Sequence, residues 1–337
     1  MASFIESLTD EQLKVVVNAT VKGKNGNTAD AREEIIEAMF NTPYFGNRNS
    51  RTAPLRQELH QAVREEFLPS VLGFLANYTG DHQKVEIRKT PKTKQYDFDI
   101  FLDGELQPEK LEHKLIKPKR GSKGVYYDVP QMMNFQLNKK LFDDIFLTRN
   151  HRTYADFVWE RYLPEVAKLY GVSEELPTRR AYNARCGQIV AYDKEKCPFI
   201  KEIRTIHRNK RDQSIDNLAA LNRLSRESFV NYYKEELDLD VDALLRCFKE
   251  ANANKLVVAQ YDQVKFKTER CEDVFGLDEL KFTEWRMEEP RPNTRNAHHA
   301  TLYVQTNQSF ELQLTFRWMN GLWQHNPAVK LSVVALK

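Results

Sequence analysis

Cysteine is scarce in this chain: Cys186, Cys197, Cys247 and Cys271 are widely spaced and no two form a CxxC pair. Neither a disulfide framework nor a zinc module is suggested, and reduced thiols are expected. Cys186, Cys197 and His207 make only a weak metal trio. Also missing is any run of about 18 apolar residues, so no membrane span is expected. The first residues, MASFIESLTDEQLK, have no basic region followed by an apolar one, which leads us to expect no signal peptide and a cytoplasmic compartment. There is no internal repeat and no low-complexity segment. Net charge is only +3, which by itself implies no polyanionic partner, so the distribution of charge has to carry that question.

A chain of 337 residues is long enough for about two domains. Residues 1–53 read as an N-terminal helical region, in which a polar break, KGKNGNTAD, precedes the apolar stripe of Ile35, Ile36, Met39 and Phe40. Pro54 to Asn77 reads as a long amphipathic helix with Leu55, Leu59, Val63, Phe67 and Val71 on one stripe, kinked or split at Pro69. Strand patterns follow at 84–89, 95–103 and 109–117, and a helix is expected over 128–147. From about residue 150 the pattern turns helical, with an arginine-dotted stretch at 176–188 and helices near 214–237 and 240–252 capped by Ser214 and by Asp240 or Asp242. The segments KLVVAQY, QVKFKT, LYVQT, FELQLTFRW and VKLSVVAL are strand-like. The expected class is therefore α/β (α+β), a mixed central sheet flanked by helices with a C-terminal region that is helical and then β-rich. The expected division is 1–53, a core at 54–149, and 150–337.

The most informative stretch is Tyr96 to Lys117, YDFDIFLDGELQPEKLEHKLIK. Its Asp103-Gly104 pair is a hairpin-turn signal, and period-two alternation puts Asp97 and Asp99 on one face of the first strand and Glu112 and Lys114 on one face of the next. Two carboxylates about 4 Å apart repel by roughly 4 kcal/mol at an effective dielectric of 20. A divalent cation removes that repulsion, and magnesium prefers such hard oxygen ligands. Phosphodiester hydrolysis without a protein nucleophile needs this cation to make a hydroxide and to neutralise charge on the phosphorane. Lys114 is placed to orient or deprotonate the water, or to stabilise the phosphorane. The competing reading is a hairpin whose outer face carries solvated cross-strand charges.

FDIFLDG followed by LEHKL, behind an acid-bearing helix and ahead of a second helix, resembles the PD-(D/E)xK nuclease superfamily, which includes many type II restriction endonucleases. The resemblance spans residues 54–145 at most. It implies a restriction-endonuclease-like core and a metal-dependent endonuclease acting on double-stranded DNA, using Mg²⁺ with Mn²⁺ as substitute. Asp99 takes the place of the first acid, Glu112 the second, and Lys114 the lysine. Glu66 or Glu65 would supply a helix ligand, and Gln131 a polar group near the substrate. Phe98 stands where the family often has proline, and Asp97 stays open as the rival first acid.

Basic runs supply the partner, because lysine and arginine bind phosphates whatever the sequence. Lys117, Lys119, Arg120 and Lys123 follow the acids directly, and Arg179, Arg180, Arg185, Arg208, Lys210 and Arg211 lie further on; all are candidate DNA contacts. The large second half suits sequence-specific readout, and cutting two strands suits a homodimer. Rival expectations are a non-catalytic nucleic-acid-binding protein with a nuclease-like core, and a nuclease of repair, recombination or RNA. His298, His299 and the Trp318–Trp323 segment are left without a role.

Overall fold

The computed structural model of the chain describes residues 25–41, 53–80, 82–91, 94, 96–115, 131–132, 144–150, 152–186, 198–210, 215–261, 265–288, 299–317 and 328–335. In chain order, α1 (Asn25–Asn41) is followed by α2 (Ala53–Ala62), which runs through a π-helical turn (Val63–Phe67) into α3 (Leu68–Leu72). Then come β1 (Val85–Lys89), β2 (Phe98–Leu102), β3 (Glu105–Leu115), β4 (Gln131–Met132) and β5 (Phe146–Thr148). Helices α4 (Tyr154–Arg161), α5 (Leu163–Tyr170), α6 (Arg179–Cys186), α7 (Pro198–Lys210) and α8 (Ile215–Glu236) lead to β6 (Leu237–Leu239) and α9 (Val241–Asn252). The remaining elements are β7 (Lys255–Tyr261), β8 (Lys265–Arg270), α10 (Cys271–Phe275), β9 (Phe282–Met287), β10 (His299–Thr306), β11 (Phe310–Arg317) and β12 (Ala328–Ala335). The described residues fall into two compact units, one from the ranges 1–125 and 249–280, the other from 126–248 and 281–337.

The first unit is built on a mixed sheet in the order β1-β2-β3-β7-β8. Strands β1, β2 and β3 form an antiparallel meander, β7 lies parallel to β3, and β8 returns antiparallel. The β2–β3 hairpin closes at Asp103 and Gly104, whose φ values of 50° and 86° are both left-handed, the conformation that this two-residue turn demands. Alternation then buries Phe98, Ile100 and Leu102 and turns Asp99 and Phe101 outward. Ile87, Phe98, Ile100, Leu111, Leu256 and Val258 join one core with Ile35, Ile36, Met39 and Phe40 of α1 and with Leu59, Val63, Phe67 and Val71. Each such side chain contributes about 1.5–3 kcal/mol by leaving water. Pro69 cannot donate a helical hydrogen bond, and the chain widens into the π turn immediately before it. That places Phe67 edge-on to Phe40 at 5.4 Å and stacked on Phe266 at 5.3 Å.

Helix side chains partner backbone groups at both edges of this sheet. At β1, Asn41 mimics a neighbouring strand: its Nδ2 donates to the Ile87 carbonyl at 2.8 Å, and its Oδ1 accepts the Ile87 N–H at 3.0 Å. Glu37 Oε1 accepts the next outward N–H, that of Lys89, at 3.0 Å. At β8, Glu66 Oε2 accepts the N–H of Phe266 at 3.3 Å. Buried or half-buried backbone groups need such partners, and a covered edge no longer invites another strand.

The second unit carries an antiparallel sheet in the order β4-β12-β11-β10-β9, a two-stranded β5–β6 ribbon, and helices α4 to α8. Thr153 caps α4 by accepting from the Asp156 N–H at 3.1 Å. Phe229 of α8 stacks on Phe316 of β11 at 3.9 Å, fixing helix to sheet through aromatic area. The fold is thus mixed α/β, a mixed central sheet flanked by helices with a C-terminal β-rich sheet.

Several elements depart from the sequence reading. Helix α1 begins at Asn25, inside the expected polar break; poor helix formers are carried by propagation from a packed segment. Gln131 and Met132, expected in a helix over 128–147, pair with β12, and Phe146 to Thr148 pair with β6. Short apolar runs read alike in both states until neighbours decide. The basic run at 201–210, read as a loop or helix end, lies within α7. Strand β9 was not expected from FTEWRM. Finally, β7 and β8, assigned by sequence to the C-terminal region, sit in the same sheet as β3.

Candidate active site

Strand β3 sets Glu112 and Lys114 on one face and His113 on the other. In the parallel pairing Glu112 faces Val257, His113 faces Val258 and Lys114 faces Ala259. His113 Nε2 lies 3.0 Å from Gln260 Oε1, both side chains buried. Burial, reinforced by the Arg32 charge, pushes the His113 imidazole down to about 3, so it is neutral and acts as a fixed polar joint between β3 and β7.

Asp97 stands immediately before β2. Phe98 pairs with Leu111, which sets Asp97 beside Glu112. The Asp97 N–H donates to the Leu111 carbonyl at 2.9 Å, and Asp97 Oδ2 accepts the His113 N–H at 2.8 Å. The Asp97 carboxyl is pushed up to about 7, first by burial and then by the Glu112 charge; Lys114 opposes the shift and Glu33 adds to it. Two acids therefore share a poorly hydrated place, where the charged form of one is disfavoured by the other.

Glu33 comes from α1 and pairs with Lys89 Nζ at 3.3 Å. Beside it, burial pulls the Arg32 guanidinium below its ordinary range, against the attraction of Glu33 and Asp97. Glu112 is nearly buried and forms an ion pair with Lys114. Lys255 of β7 is buried; its ammonium is pushed down by desolvation and held up in part by Glu112. Asp97, Glu112, Lys114 and Glu33 thus converge at the end of the sheet where β3 leaves and β2 enters.

Asp99 is elsewhere. Its oxygens accept from Lys94 Nζ at 3.0 and 2.8 Å and from Tyr96 Oη at 2.7 Å, and in register it lies between Arg88 and Lys110. Of the two candidate acids, Asp97 is the one beside Glu112. Glu66 caps β8, two strands from β3, and Glu65 accepts from Gln61 Nε2 at 3.0 Å. Neither joins Glu112. Gln131 belongs to the second unit, opposite Lys330. Arg179 donates to Asp156 at 2.6 Å and Arg180 is exposed. Arg185 lies on α6, and Arg208 and Lys210 on α7. Lys117, Lys119, Arg120, Lys123 and Arg211 fall outside the described residues.

Glu33, Arg32 and Lys255 were missed by sequence. For Glu33 the signal was present: it stands three residues before Ile36 and seven before Phe40, bordering the apolar stripe of the helix ahead of the first strand. Among the described residues no group of three or more His, Cys, Asp or Glu stands in metal-holding geometry. In donor chemistry, Asp97 and Glu112 are hard oxygens whose repulsion Lys114 offsets in part, a set that suits a divalent cation. Comparison with protein-family models, with curated proteins and with solved structures finds no match.

Proposed function

We propose that the chain is a divalent-metal-dependent nuclease that hydrolyses phosphodiester bonds of double-stranded DNA, in a sequence-specific manner and as a homodimer. One observation carries the reading: Asp97 and Glu112 are neighbours across the β2–β3 pair, with Lys114 one step along the same face. Mg²⁺, or Mn²⁺ in its place, would supply Lewis acidity and a hydroxide. Asp97 and Glu112 would hold it, and Glu33 would add negative charge from α1. Lys114 balances Glu112 in the free protein and would orient an attacking water or stabilise a phosphate oxygen once a metal takes up the Glu112 charge. His113 and Gln260 keep β3 in register with β7, so the acids do not drift. The basic helices α6 and α7 support a DNA-reading role for the second unit.

Cleavage of supercoiled plasmid in Mg²⁺ tests this directly. Discrete fragments are expected from the wild-type chain, and none from Asp97→Asn, Glu112→Gln or Lys114→Ala, while DNA binding in Ca²⁺ persists in all three. Full cleavage by all three variants would sink the assignment. A second reading, a non-catalytic nucleic-acid-binding protein, draws on the Glu112–Lys114 ion pair, which balances charge without a metal. It requires salt-sensitive binding and no nicking, so the same digest separates the two.

A further inference from the structure

We infer that β9 is a self-complementary docking edge through which two copies of this chain join their C-terminal sheets into one. In the first sheet Asn41 and Glu37 take up edge groups of β1, and Glu66 takes one of β8; β9, the last strand of the second sheet, has no such side-chain partner among the described residues. Thr283, Glu284, Trp285 and Arg286 are all exposed, and Trp285 is one of the few large apolar side chains left open, at 47%.

The register shows which groups are on offer. Glu288 N–H donates to the Thr301 carbonyl at 2.8 Å, and β9 continues with Met287 opposite Leu302, Arg286 opposite Tyr303 and Trp285 opposite Val304. Beyond Trp285 the strand carries one extra residue before Phe282 meets Thr306, a bulge that ends the regular ladder at that end and bends the edge. Antiparallel pairs alternate between bonded and non-bonded. Glu288 and Arg286 therefore spend their backbone groups on β10, and Met287 and Trp285 turn theirs to the free edge. An antiparallel second copy centred on Trp285 would exchange both Trp285 hydrogen bonds across a two-fold axis. The same register sets Glu284 of each copy opposite Arg286 of the other, in the closer, non-bonded type of pair where opposite charges attract most. Glu284 and Arg286 usually discourage strand addition, but here their order makes one partner acceptable, an inverted copy of themselves. Arg286 already has company on its own chain, lying 4.6 Å over the Tyr303 ring and 3.6 Å from Glu311, which holds its guanidinium out at 56% exposure. Each Trp285 already donates its indole N–H to Tyr233 of its own chain, and the exposed remainder of the two rings would meet on the core-side face.

Only one short strand per copy is engaged, so the dimer should be of modest affinity and concentration-dependent. The inference gives an interface to the homodimer proposed above but is argued from edge geometry, and its failure is read in association while that of the nuclease chemistry is read in cleavage. Sedimentation equilibrium of the full chain is the experiment. Wild type should dimerise. Glu284→Arg alone and Arg286→Glu alone each create two like-charge pairs and should weaken the dimer about tenfold or more. Mixing the two variants one to one should restore it as a heterodimer, since every pair is again opposite in sign; a misfolded variant could not do this. A wild-type chain that stays monomeric overturns the proposal, as does a dimer that neither variant weakens or a mixture that gains nothing.

Discussion

Asp97 Oδ2 accepts the backbone N–H of His113 at 2.8 Å, a contact that fastens the acid ahead of β2 to the middle residue of Glu112-His113-Lys114. A side chain thereby takes a place in the ladder between two strands. It explains why Asp97 and not Asp99 keeps company with Glu112.

If Asp97 is the metal-holding acid, Asp97→Asn should lower cleavage about a hundredfold or more, the scale of losing several kcal/mol of charge stabilisation. Asp99→Asn, which only releases Lys94 and Tyr96, should leave the rate within about tenfold. Single-turnover rates in saturating Mg²⁺ decide it; equal losses in both variants contradict the assignment.

Burial and the neighbouring Glu112 push the Asp97 carboxyl up to about 7 in the fold, from 3.8 ordinarily. The folded chain therefore binds more protons than the unfolded one between these values. By linkage its stability should fall as pH rises through that window and level off above about 7. In Asp97→Asn that slope should flatten. Mg²⁺ should raise the melting temperature more at pH 8 than at pH 6, because a cation favours the ionised form. Melting curves with chelator and with Mg²⁺ give both results, and an unchanged slope in the variant would count against the site.

The acids on the helices should separate cleanly. Glu33→Gln is expected to weaken Mg²⁺ binding about ten- to hundredfold, as loss of a supporting carboxylate does. Glu66→Ala should leave binding and cleavage unchanged and cost about 0.5–1.5 kcal/mol of stability through its lost hydrogen bond to β8. Calorimetric titration with Mg²⁺ and urea unfolding read the two effects, and a metal-binding defect in Glu66→Ala would reverse the roles.

Asn41→Ala strips two backbone groups of Ile87 of their partner at once. About 1–3 kcal/mol of stability should go with them, seen as a lower urea midpoint with an unchanged slope. A midpoint equal to wild type would mean that water replaces the amide at no cost.

How much was legible beforehand follows from where information is local. The β2–β3 hairpin could be read because alternation and the Asp103-Gly104 turn are written in adjacent residues. Glu112 and Lys114 share a face by period alone. The first acid could not be chosen, since Asp97 and Asp99 alternate identically; their difference lies in tertiary partners, Lys94 and Tyr96 for one and the His113 N–H for the other. Glu66 looked like a ligand because it borders an apolar stripe, a border that Glu33 shares. Only packing distinguishes the helix over the acid end from the one that reaches β8. Strand β9 was missed because FTEWRM has little apolar alternation, as expected for an edge whose residues face water.

The parallel neighbour of β3 is written late in the chain: β7 begins at Lys255, beyond everything from residue 116 to 254. While the chain is being synthesised, the strand bearing Glu112 must wait with one side open until the ribosome has passed residue 261. His113 cannot meet Gln260 before then. The acids therefore acquire their final setting only after most of the second unit's helices exist. A truncated or prematurely released product ending before β7 would carry Asp97, Glu112 and Lys114 and still lack the scaffold that aligns them, a built-in delay between making the residues and arming them.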